Sequence, residues 1–226
     1  QTEGRIETPQ KVPLDNVDKI ALSGSSIAAI TTDGSLYIWG YIEEGSYDTG
    51  EGYSLEPVKV MDDVIQVDAD SNTFAAVTSD GSLWMWGHNG SGTVANGQGE
   101  GSPYVPVEDR VKVLDNVVQI DIEAWLGIAL KANGEVYIWG SNSRDFLGSN
   151  TYTPQYWMNG ISQIENSGSG LGLIKNDNTL WMVGNNYYGS LGNGSLDGGG
   201  NEPVQVLEYV SQVSRGNFNS AAVSID

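Results

Sequence analysis

The octapeptide DGSLYIWG at 33–40 returns almost unchanged as DGSLWMWG at 80–87. A chain that repeats itself at a fixed period is confined to architectures in which one small unit is stacked several times. The closing pair stands at Trp39-Gly40, Trp86-Gly87 and Trp139-Gly140, with a worn copy at Val183-Gly184, so the spacings are 47, 53 and 44 residues. Upstream of each lies a turn pair: Asp33-Gly34, Asp80-Gly81, Asn133-Gly134 and the altered Asp177-Asn178. A second phrase alternates with the first. It reads KVPLDNV at 11–17, KVMDDV at 59–64, KVLDNV at 112–117 and QVLEYV at 205–210, with a faint WMNGI at 157–161. The period of about fifty residues divides a single domain, 1–226, into copies at 11–58, 59–111, 112–156 and 157–204 and a partial fifth at 205–226.

Each copy carries two short runs of β-branched and aromatic residues joined by Asp-Gly, which predicts a hairpin with a two-residue type I′ turn. Along the second run, Leu36 and Ile38 point to one face and Tyr37 and Trp39 to the other. Both faces are apolar, whereas a sheet wetted on one side alternates with polar residues. The hairpin must therefore be covered on both sides, as in a β-propeller, where small sheets stack around an axis. The expectation is an all-β propeller of about four and a half blades, an incomplete or open ring. The repeated octapeptides are structural.

With these residues in view, the chain resembles the regulator-of-chromosome-condensation repeat family. That family's blade runs DG-x-(aromatic)-x-WG-x-N-x-x-G-x-LG-x-G, then P-x-x-V-x-x-L. Here VGNNYYGSLGNG at 183–194 keeps the loop best, while WGYIEEG lacks the Asn and WGSNSRDFLG carries extra residues. The resemblance covers Lys11 to Asp226. It implies seven blades, more than this chain supplies. SAAVSID at 220–226 stops where the next turn pair belongs, and a bare strand edge invites pairing. The open blade edges are expected to pair with a missing segment of a longer chain or with another chain; an open arc is the third arrangement, and the longer chain is favoured.

Composition narrows the chemistry. Ten Lys and Arg against 29 Asp and Glu give a net charge of −19, the wrong sign for phosphate backbones. Nucleic acid and membrane insertion are not expected; nor is there an apolar run long enough to span a bilayer. Zero cysteines exclude disulfides and thiolate sites. The one histidine, His88, occupies a slot held elsewhere by Tyr41, Ser141 and Asn185, and no nucleophile or orienting group accompanies it as a triad requires. No enzyme activity, cofactor or metal is expected. Acidic residues such as Asp15, Asp62, Asp63 and Asp115 fall in repeated turn slots. The DADSN stretch at 68–72 and NGSLDGGGNE at 193–202 lack the spacing of a calcium loop.

Positions that differ between copies are free for recognition. Aligning AAI 28–30, AAV 75–77, IAL 128–130, GLI 172–174 and AAV 221–223 sets Asn72, Trp125 and Phe218 in one slot and Leu126 and Asn219 in the next. Phe74 follows in the third. These slots enter a strand from a loop, so equivalent loops should share one face, and aromatic anchors among small polar residues suit a protein interface. Packing back into a loop core is the competing fate of Trp125 and Phe218. Tyr187 and Tyr188 join the candidates from the outer loop of the fourth copy. The expected function is a non-catalytic protein-binding scaffold, extracellular or at the cell surface of a bacterium. It is similar in use to secreted bacterial propellers of the β-lactamase-inhibitory kind. Nucleotide exchange on a small GTPase, which the resemblance implies, carbohydrate binding and a purely structural spacer are the alternatives.

Overall fold

The computed structural model describes residues 8, 10–41, 52–99, 101–123, 125–141, 149–197 and 199–225. Each repeat becomes one antiparallel sheet whose strands follow in chain order. The first sheet holds β1 (Val17–Ser23), β2 (Ser26–Thr31), β3 (Leu36–Tyr41) and β4 (Tyr53–Met61). The second holds β5 (Val64–Asp70), β6 (Thr73–Thr78), β7 (Leu83–Gly87) and β8 (Val111–Leu114). Strands β9 (Val117–Glu123), β10 (Leu126–Lys131), β11 (Val136–Gly140) and β12 (Thr151–Met158) make the third. The fourth is β13 (Ile161–Ser167), β14 (Gly170–Lys175), β15 (Leu180–Asn185) and β16 (Gly199–Leu207). A pair, β17 (Val210–Arg215) and β18 (Ser220–Ser224), begins a fifth. A 3-10 turn at Val107–Asp109 interrupts the otherwise all-β chain.

The first strands of successive sheets pack side by side and form the inner rim. Fourth strands are outermost, which explains the prolines just ahead of the second phrase: Pro57, Pro154 and Pro203 lie on β4, β12 and β16, each bonded on one side only. Proline lacks the N–H that a central strand needs.

The Asp-Gly turns are one residue longer than the sequence suggests. Thr31 pairs with Ser35 (Thr31 N to Ser35 O, 2.9 Å), leaving Thr32-Asp33-Gly34 as a three-residue loop closed by Gly34 N to Thr31 O at 2.8 Å. Only the glycine takes the left-handed conformation, at φ 82° for Gly34 and 80° for Gly81. This is the type I turn with a glycine bulge. Aspartate is used for its side chain: Asp33 Oδ1 accepts from Thr31 Oγ1 at 2.6 Å and from Ser35 N at 3.1 Å.

The second phrase is the seam between sheets. Its penultimate residue is left-handed in every copy (Asn16, Asp63, Asn116, Gly160 and Tyr209), turning the chain from an outer strand back to the axis. The valine or isoleucine that follows donates its N–H to the preceding sheet's hairpin: Val64 to Gly34, Val117 to Gly81, Ile161 to Gly134 and Val210 to Asn178, at 2.9 to 3.2 Å.

Apolar residues fill both sides of each sheet, as the two-faced pattern requires. Trp39, Trp86 and Trp139 hold one register slot, opposite Ile27, Phe74 and Gly127. Trp86 stacks on Phe74 with ring centroids 5.7 Å apart. Trp139 is fully buried and donates Nε1–H to Thr93 O of the second sheet's loop at 2.7 Å. Trp39 is only half-buried; among the described residues no sheet lies ahead of the first.

Candidate functional site

Antiparallel order puts the loops after the first and third strands of every sheet at one end of the molecule. Hydrogen bonds tie these loops together: His88 N to Asn72 O, Ser141 N to Trp125 O and Asn185 N to Ser169 O, each at 2.8 Å. They explain the Trp-Gly pair. At Gly87, with φ 102°, a Cβ would collide with the carbonyl of Asn72, so glycine alone allows the two loops to meet.

Four of the eight sequence candidates project from this end. Trp125 is 54% exposed, Phe218 66%, Tyr187 68% and Tyr188 72%. Tyr188 and Phe218 meet edge-to-face across the boundary between the fourth and fifth sheets, with centroids 5.1 Å apart and planes at 75°. Ser220 Oγ donates to Ser190 O beside them at 2.8 Å. The loop bearing the tyrosines is fixed from within by fully buried Asn186. Its Nδ2 donates to Asn193 Oδ1 and Ser195 O, and its Oδ1 accepts from Leu191 N at 3.0 Å. Asn89 plays the same part in the second sheet, bonding Asn96, Gln98 and Val94. There the positions of Tyr187 and Tyr188 are Gly90 and Ser91, so the loop does not require tyrosine.

Two of the other candidates are corrected. Phe74 and Leu126 are buried, inside β6 and at the start of β10, and cannot meet a partner. β6 and β10 already begin at the second slot, at Thr73 and Leu126, so side chains of the second and third slots are buried there. Asn72 is a turn residue with φ 61°, whose N–H is taken by Ser23 Oγ at 2.6 Å. Asn219 is exposed, and its carbonyl closes the final loop on Gly216 N at 3.0 Å. His88 is exposed, its carbonyl accepting from Thr73 Oγ1 at 2.7 Å. Among the described residues no group of three or more His, Asp or Glu is arranged to hold a metal.

The sequence reading missed a second set of residues, on the inner strands. Gln66 Nε2 donates to Ile120 O (2.9 Å) and Ile120 N to Gln66 Oε1 (3.3 Å). Gln119 and Ile164 repeat this one sheet on, at 2.6 and 3.0 Å. Two residues after each glutamine a carboxylate accepts the next free amide: Ile122 N to Asp68 Oδ2 at 2.6 Å and Asn166 N to Asp121 Oδ2 at 2.7 Å. Glu165 Oε1 receives Arg215 N at 3.3 Å and Ser214 Oγ at 3.2 Å. Burial raises Asp68, with Asp70 and Glu165 adding repulsion. Asp121 is pushed up to about 8 by burial and then by Asp68, with Glu165 and Glu123 contributing and the Asn166 amide opposing. The signal was in plain sight: Gln-x-Asp or Gln-x-Glu recurs at 66–68, 119–121 and 163–165.

Residues 64–93, which span β5 to β7 and the loop after them, match the regulator of chromosome condensation (RCC1) repeat. Human WBSCR16 superposes with a TM-score of 0.79 at 20% identity, over 99% of this chain and 63% of that one. Prp20p from Saccharomyces cerevisiae gives 0.74 at 19% identity over 92% and 55% of the two chains. Yeast RCC1 (Prp20) from its complex with Kap60 gives 0.73 at 20% over 92% and 54%. The chain thus spans between about half and two thirds of these structures. No curated protein matches it in sequence. The fold is a β-propeller like those of these structures, with four whole blades and a half blade among the described residues.

Proposed function

We propose that the chain is a non-catalytic recognition scaffold that binds a protein through the loop end bearing Trp125, Tyr187, Tyr188 and Phe218. The observation that carries this reading is the Tyr188–Phe218 pair: two large aromatics, both exposed, held against each other by loops that are themselves tied down. Rigid aromatic anchors lose little entropy on binding and dominate interface energetics. An extracellular or cell-surface setting in a bacterium belongs to the same reading and rests on the resemblance to secreted propellers. The test is capture of partners from native secretions or envelope by wild type and by a Tyr188→Ala, Phe218→Ala double variant. Equal recovery of the same partners by both removes the reading; loss of a discrete partner with unchanged melting supports it.

A second reading is favoured by the Prp20p fold, whose structure is described together with its binding to Gsp1p and histones. Nucleotide exchange on a small GTPase follows if the same loop end serves that use here. A nucleotide-release assay separates the two, since a passive binder leaves release unchanged. A third observation concerns the ends of the arc: β18 is exposed along its length, and we propose that this edge pairs with a further strand from the same or another chain.

A further inference from the structure

The seams among blades two to five are built from the same parts. The preceding blade sets a glutamine on its first strand opposite an apolar residue on its second: Gln66 with Val77, Gln119 with Leu130 and Gln163 with Ile174. The following blade lays alternate apolar residues of its own first strand against that face. Leu130 and Ile164 belong to one apolar cluster, and Ile174 and Val213 belong to the next. Gln66 and Gln119 complete the join by accepting the N–H of Ile120 and of Ile164.

The described residues hold both halves of one further seam, each uncovered. On β1, Ile20 faces Ala29 as Ile120 faces Ala129, and Leu22 faces Ile27 as Ile122 faces Gly127. Their amides therefore point away from β2, as those of Ile120 and Ile122 point away from β10 to meet Gln66 and Asp68. Among the described residues no side chain takes the Ile20 or Leu22 amide, and both side chains are exposed. On the half blade, Gln212 faces Val223 in the register of the complete seams. Gln212 is exposed, and no hydrogen bond holds its side chain among the described residues. Val223 is exposed as well, where Val77, Leu130 and Ile174 are buried.

We propose that Ile20 and Leu22 form a docking face for a second copy of this chain, whose β17–β18 hairpin seats on it as a preceding blade would. Gln212 of that copy accepts the Ile20 N–H, and its Val223 packs against Ile20. This rests on the reading that the ends of the arc are occupied, and it commits the contact to a sheet face rather than to the edge of β18. The amides decide the occupant. A merely apolar surface laid on β1 would bury the Ile20 N–H without a partner, which is costly, whereas a strand carrying glutamine at this register satisfies it. The contact joins two different surfaces, so each copy offers one of each. Every copy carries a charge of −19, and salt, which screens that repulsion, tightens the association.

Complementation in sedimentation tests the pairing. Ile20→Lys with Leu22→Lys blocks one half, and Val223→Lys blocks the other. Each variant alone should stay monomeric at concentrations and salt where wild type associates. An equimolar mixture of the two should form a two-copy complex and stop there, since each keeps one sound half. Gln212→Ala should raise the concentration for half association about fivefold, as the loss of one hydrogen bond does. Self-association of the Ile20→Lys, Leu22→Lys variant overturns docking on β1 while leaving pairing at the β18 edge standing. A mixture that stays monomeric, a wild type monomeric up to its solubility at high salt, or a Gln212→Ala variant that associates like wild type also overturns it. Partner capture by Tyr188 and Phe218 is read in a separate assay and is untouched by any of these results.

Discussion

Phe74 and Trp125 stand two slots apart in the phase of the repeat, yet one is core and the other surface. Sequence comparison between copies located the loop but not where it ends, because a slot's outward or inward direction depends on the strand's first hydrogen-bonded pair. Thr73 pairs with Gly87, so Phe74 points between sheets onto Trp86. Truncation should separate the roles. Phe74→Ala is expected to lose about 3–5 kcal/mol, the usual range for a buried aromatic, and Trp125→Ala within about 0.5 kcal/mol, as for a surface site; urea unfolding measures both. The hairpin aspartates are shifted in the opposite direction to Asp68 and Asp121. Thr78 Oγ1 and the Ser82 amide hold Asp80 down at about 2. Its contribution is present above the unfolded value near 4 and is lost as pH falls through about 2. Wild type should lose melting temperature between pH 4 and 2, and Asp80→Asn should lose less over that window. Identical slopes count against the assignment.

At the scale of the element, the Asp-Gly pair announced a hairpin correctly but left its loop length open, since the dipeptide suits both a two-residue and a three-residue turn. What decides is the neighbouring residue on each side: Thr78 and Ser82 both bond to Asp80, which fixes aspartate before the glycine bulge. The fourth hairpin shows what the bulge tolerates, with Asn178 at φ 64° where the others have glycine. At Gly81 an added Cβ approaches the Asn116 backbone at 3.1 Å. Substitution should therefore follow the order Gly, Asn, Ala. Gly81→Ala is expected to cost more than the roughly 1 kcal/mol at stake in backbone freedom, and Gly81→Asn less than alanine, read from urea midpoints. An alanine variant as stable as asparagine contradicts the left-handed bulge.

The whole molecule was legible in its blades and opaque in its use, for one reason. Repetition records what every blade must do, whereas Tyr187, Tyr188 and Phe218 are written where the repeat makes no demand. The inner carboxylates are an intermediate case: they repeat, but charge on a strand facing the axis has no counterpart in the two-faced apolar pattern. The same scale holds the consequence of the open ends. On β1, alternate residues face the side where a preceding blade lies in every other sheet. Ile20 is 63% exposed and Leu22 65%, while the equivalent Val67, Ile120, Ile164 and Val213 are at most 8% exposed, as are Ala69, Ile122, Asn166 and Arg215. At the other end β18 has the small apolar sequence of a central strand, Ser-Ala-Ala-Val-Ser, and is exposed throughout. A head-to-tail contact between such surfaces does not close on itself and generates open assemblies. The isolated chain should accordingly associate with rising concentration in light scattering. Ile20→Lys with Leu22→Lys should suppress that association while leaving the melting temperature nearly unchanged, since neither side chain packs in the core. Association that persists in the double variant transfers the contact to β18, where Val223→Lys tests it in the same way.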